Sequence, residues 1–148
     1  MTALERFLAL VDDWKRGDLD AVTARMAPGF VWHFAAATRP PAVGLKAARK
    51  VLDIYRQMQT ESRLTLFLHA ETETPEGTRL FYEGVEDFDT PQGHRVQVPC
   101  AAVVEFDRAG LVTGWRDYYD RGLLDSQLAG TAPLPDFARD LIDRPVLG

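Results

Sequence analysis

A change of hydrophobic period near residue 62 constrains this chain more than any other feature. Before it, apolar residues recur three and four apart: Leu4, Phe7, Leu8, Val11 and Trp14 within 4–16, and Ala48, Val51, Leu52, Tyr55 and Met58 within 44–59. Such stripes mark amphipathic helices. After it come four runs rich in aromatic and β-branched residues, at 62–72, 78–88, 94–106 and 111–119. The clusters Pro75-Glu76-Gly77, Asp89-Thr90-Pro91-Gln92-Gly93 and Asp107-Arg108-Ala109-Gly110 separate them, as hairpin turns separate antiparallel strands. Helices first and strands afterwards predict an α+β domain in which a curved sheet wraps against helices.

The remaining segments fit that frame. Gly17 ends the first helix, and Asp18 caps a short second one over 19–26, closed by Pro28 and Gly29. Phe30 to Ala36 reads as a strand, and Arg39-Pro40-Pro41 forces an extended connection. A short helix is expected at 123–128. From Pro133 to Gly148, Leu134, Phe137, Leu141 and Ile142 keep helical spacing, which suits either a small helix laid on the body or a cover for a pocket mouth. With 148 residues, 46% hydrophobic and 26% charged, one domain over 1–148 with a real core is the expectation.

Charge and cysteine content narrow the function classes. The net charge is -5 and the basic residues are scattered, which argues against nucleic acid as a partner. No run is apolar enough to cross a bilayer, and the start lacks the pattern of a signal peptide, so a soluble, cytoplasmic protein is expected. Cys100 is the only cysteine, which excludes an internal disulfide. His33, His69 and His94 have no partners at ligand spacing, so no metal site is predicted; there is also no glycine-rich phosphate loop, Gly-x-Ser-x-Gly elbow or Cys-x-x-Cys.

Two carboxylates stand out. Asp117 lies in Gly114-Trp115-Arg116-Asp117-Tyr118-Tyr119-Asp120, and strand alternation places Trp115, Asp117 and Tyr119 on one face. If that face looks into a cavity, apolar surroundings push the acid's pKa upward, as in general acids and bases; otherwise Asp117 is a surface residue near a strand end. Glu86 shares its parity with Leu80, Tyr82, Gly84 and Phe88. A carboxylate on such a face pairs with a buried partner or performs chemistry, unless the face is solvated or a bulge between Glu86 and Asp87 shifts the parity. Phe30, Trp32 and Phe34 share another face, as core or as cavity wall.

The helix-helix-strand-helix-strands order, with Val43-Gly44 opening the third helix after Pro40-Pro41, resembles the cone-shaped α+β barrel of the nuclear transport factor 2-like superfamily. Within it, Thr113 to Asp120 resembles the limonene-1,2-epoxide hydrolase family. That likeness implies an enzyme without cofactors and a homodimer formed through the open sheet face, where Arg116, Tyr118 and Val104 would pack. It places Asp117 on the water-activating aspartate and Tyr119 on an aromatic pocket position. The family's Glu-Arg-x-Asp reads Glu83-Gly84-Val85-Glu86, so Glu86 replaces the second acid and Gly84 the bridging arginine. The water-anchoring Tyr-x-Asn reads Trp32-His33-Phe34, or lies across an insertion near Ala35 to Thr38.

The leading expectation is a pocket enzyme that opens an epoxide of a small apolar substrate, with Asp117 as base and Glu86 as acid. Trp32, Phe34, Tyr82, Trp115 and Tyr119 are the candidate substrate-binding residues. The alternatives are a SnoaL-like isomerase, cyclase or dehydratase of a polyketide- or steroid-like ring, and a non-catalytic ligand-binding domain of the same fold.

Overall fold

The computed structural model describes residues 1–35, 37–133, 136, 139 and 140. Three helices precede most of the sheet: α1 (Ala3–Lys15), α2 (Leu19–Ala24) and α3 (Leu45–Met58). The strands are β1 (Met26–His33), β2 (Ala42–Val43), β3 (Glu61–Thr74), β4 (Gly77–Asp89), β5 (Arg95–Asp107) and β6 (Val112–Tyr119), followed by α4 (Arg121–Leu128). They form one sheet in the order β2-β1-β6-β5-β4-β3, antiparallel except where β1 runs parallel to β6.

Local chemistry accounts for the element ends. Thr2 and Glu5 close a capping box on α1, Asp18 accepts from the Ala21 amide at 3.0 Å, and Asp120 accepts from the Leu123 amide at 3.1 Å. At the start of α3, Gly44 holds φ at +85°, a left-handed turn that favours glycine. The helices lie on one face of the sheet, where Phe7, Leu10, Val22 and Leu52 meet Phe30, Trp32, Leu80, Val104 and Trp115 in the core.

Four expectations are corrected. The first strand begins at Met26 rather than Phe30 and ends at His33, with Pro28 and Gly29 inside it, where the β1–β6 register shifts between Met26 and Val31. A two-residue β2 then pairs with β1 at Val31 and Trp32. Val104 is not on the outer face: it sits opposite Trp115 and is fully buried. No bulge separates Glu86 from Asp87, since β4 and β5 pair without interruption from Gly77 to Asp89. The expected helix around Leu134, Phe137, Leu141 and Ile142 falls outside the described residues.

The bulge lies instead in β3, between Leu66 and Leu68, and bends that strand inward. Gly84, paired with Leu66, makes this possible: a Cβ there would stand 2.3 Å from the Thr65 carbonyl oxygen. At the other end of the cone, β5 outruns β6, and α4 covers its free edge. The buried Gln127 amide bonds both backbone groups of Gln97, accepting from its N–H at 2.7 Å and donating to its carbonyl at 3.1 Å, as a neighbouring strand would.

The Gly84 contact gives a direct test of this curvature. Gly84→Ala should destabilise the protein by about 1–3 kcal/mol in urea titrations, the cost of overpacking against rigid backbone. Gly29→Ala, whose Cβ would meet nothing within 4 Å, should stay near zero.

Candidate active site

The inner face of the cone encloses a cavity of about 120 Å³. Its walls come from Trp32 and Phe34 at the end of β1, Leu52 and Tyr55 on α3, Glu86 on β4, Val98 on β5, Trp115, Asp117 and Tyr119 on β6, and Leu124 on α4. Cross-strand pairing explains the room. Small residues, Ala102, Cys100 and Gly84, occupy the inward rows between Asp117 and Glu86.

Asp117 is buried and held by both oxygens. The Trp115 indole N–H donates to Oδ1 at 2.7 Å and the Trp32 indole N–H to Oδ2 at 3.2 Å. The two indoles stack at 5.5 Å because Trp32 and Trp115 are register partners on parallel strands. Burial pushes the Asp117 carboxyl up from 3.8 to about 8, and the charge of Glu86 adds to it; the indole donors oppose the rise. Glu86, which lines the same cavity, is also raised by burial, and no hydrogen-bond donor among the described residues reaches it. Asp117, buried, and Glu86, half-buried beside it, repel each other as anions and so lose their protons in separate steps. The two indole donors stabilise the Asp117 carboxylate once it forms.

A second polar corner lies at Phe34. Its carbonyl oxygen accepts from the Tyr119 hydroxyl at 2.9 Å and the Tyr55 hydroxyl at 3.4 Å. Burial raises both phenols above their ordinary value, so they stay protonated. Among the described residues no group of three or more His, Cys, Asp or Glu side chains is placed to hold a metal ion.

Of the sequence-derived candidates, Asp117, Glu86, Trp32, Phe34, Trp115 and Tyr119 all line this cavity. Tyr82 does not: it lies beneath, fully packed against Phe7 at 5.0 Å between ring centroids. Its hydroxyl has no hydrogen-bond partner among the described residues. Sequence reasoning missed Tyr55, a member of the α3 stripe taken there as packing alone; an aromatic hydroxyl on a stripe otherwise apolar was the available signal. Asp87, next to Glu86, is ion-paired with Arg63 at 2.9 Å and Arg95 at 2.5 Å.

The profile of the SnoaL-like domain family matches residues 5–115. A search of curated protein sequences gives no match. Among solved structures, the fold is similar to that of a candidate polyketide cyclase from Xanthomonas campestris pv. campestris, at 23% identity over 85% of this chain and 96% of that one, TM-score 0.66. It is also similar to a candidate SnoaL-like polyketide cyclase from Shewanella denitrificans OS-217, at 13% identity over 86% and 97%, TM-score 0.73. A third likeness is to an NTF2-like protein of unknown function from Burkholderia pseudomallei K96243, at 17% identity over 86% and 98%, TM-score 0.69. No helix among the described residues is long and apolar enough to cross a membrane.

The acid pair makes stability depend on pH. A carboxyl whose folded pKa lies above its unfolded 3.8 binds its proton better in the folded state, so its contribution is whole below 3.8 and is lost as pH rises through about 8. Urea midpoints of the wild type should therefore fall between pH 5 and pH 9 more steeply than those of Asp117→Asn; parallel curves would contradict the raised value.

Proposed function

Since the chain belongs to the SnoaL-like domain family, we propose that it is a pocket enzyme that moves protons on a ring-bearing carbonyl substrate, as an isomerase, cyclase or dehydratase does. The observation that carries this reading is an acid pair facing one apolar cavity, with the buried member clamped between two indole N–H groups. Asp117, in its ionised form and oriented by the indoles, takes a proton from the carbon next to the carbonyl. Glu86, holding the pair's remaining proton, donates it to the oxygen as charge develops there. Reversing the roles delivers the proton to a new carbon and restores the pair. A base whose pKa stands near the working pH is efficient in both directions. The candidate polyketide cyclases of the same fold lend support to ring chemistry as the setting.

Epoxide opening is the second reading, favoured by the placement of the Gly114 to Asp120 segment at the cavity. It is weaker on one count. An arginine bridging the acids has no room at residue 84, where even a Cβ would meet the Thr65 carbonyl.

The test is exchange of solvent deuterium into enolisable cyclic ketones followed by NMR, beside a panel of cyclic epoxides. Asp117→Asn and Glu86→Gln should each lower kcat/KM at least about 100-fold, the lower range for a positioned acid or base. The wild-type rate should fall above about pH 8 as the pair loses its last proton. Full activity in both variants would end the acid-base reading, and a ligand that binds without change would leave a binding domain.

A homodimer through the outer sheet face is proposed with it. Leu68, Phe81 and Tyr118 are exposed there, Tyr118 at 44%, and Arg116 and Glu83 flank them on adjacent rows. A two-fold axis through this patch would set the exposed apolar residues of two copies against each other, the self-complementary arrangement an isologous contact needs. Light scattering should give a dimer for the wild type at micromolar concentration and a monomer for Phe81→Glu.

A further inference from the structure

We infer that the cavity selects a single-ring substrate carrying a free hydroxyl: a cyclic hydroxy-ketone or its enol or phenol tautomer. The inference rests on the acid-base reading and adds the class of molecule on which the pair acts.

Size is the first argument. A partly open space of about 120 Å³ is slightly smaller than the cavity of roughly 150 Å³ known to take up benzene. One ring fills it; a second fused ring has to displace Tyr55, Trp115 or Leu124, which close-packed walls resist, or leave the apolar space for the exposed rim at Lys15 and Arg63.

Hydrogen-bond polarity is the second. Around Asp117 and the Phe34 carbonyl, the protons of the neighbouring indole and phenol groups are committed inside the protein. Both indole N–H groups point at Asp117, the Tyr119 O–H donates to the Phe34 carbonyl, and the Tyr55 hydroxyl lies within reach of that carbonyl and of Tyr119. What the tyrosines have left is oxygen lone pairs, since a hydroxyl that donates once still accepts. Tyr55 and Tyr119 therefore form an acceptor corner, which a ligand hydroxyl satisfies and an ether or a bare ring does not. The remaining donor on the acid side is the proton kept by Glu86, which suits one carbonyl oxygen. A ring with one hydroxyl and one carbonyl answers both sites.

The probes are phenol, anisole, 2-naphthol and 3-hydroxycyclohex-2-en-1-one, titrated against the intact protein with indole fluorescence and calorimetry as readouts. Phenol and the hydroxyenone should bind about tenfold more tightly than anisole, the worth of one hydrogen bond in a desolvated site. 2-Naphthol should bind more weakly than phenol, against the trend that added apolar area would impose. In Tyr119→Phe and, separately, Tyr55→Phe, checked for unchanged melting, the preference for phenol over anisole should shrink to about twofold or less in at least one variant. Naphthol binding as tightly as phenol, or anisole matching phenol in the wild type, overturns the inference. These titrations read occupancy without turnover. Correct binding order with no deuterium exchange would defeat the proposed function alone, and exchange confined to fused-ring ketones would defeat this inference alone.

Discussion

The site depends on one contact pattern, the grip of two indole N–H groups on a buried carboxylate. Bare burial of Asp117 would keep it neutral and inert, whereas full ion pairing would keep it charged and weakly basic. The indoles take a middle course. Each supplies a neutral donor without adding a positive charge, so the acid is oriented and partly stabilised as an anion while its pKa remains high. The parallel pairing of β1 and β6 provides that geometry by placing Trp32 beside Trp115.

Neighbouring residues on β4 show how environment assigns roles to like side chains. Glu86 and Asp87 are consecutive carboxylates on an uninterrupted strand. Asp87 meets Arg63 and Arg95, which compensate its charge; Glu86 meets apolar walls and another acid. The first arrangement fastens strands together. The second favours the neutral, protonated form of Glu86, which needs no compensating cation.

Much of the architecture was legible because it rests on local rules. The stripes of α1 and α3, the cap at Asp18 and the three turn clusters each lie within a few residues, and the four helices and the four long strands fall near their expected places. The misses share a different origin. The early start of β1, the existence of β2 and the inward position of Val104 follow from pairing between distant segments. Tyr82 shared its parity with Glu86 as expected, yet lies under the cavity, because Phe7 of α1 covers it.

By itself the sequence determined the fold class and the two acids, since hydrophobic period and strand parity are properties of the chain read a few residues at a time. Tertiary structure decided what those acids face. Trp32 reaches Asp117 from 85 residues away, Tyr55 arrives on a helix, and the Gly84 contact with the β3 bulge closes the route an arginine would need. Each depends on backbone curvature that brings distant strands around one small cavity, and no local pattern of residues encodes that distance.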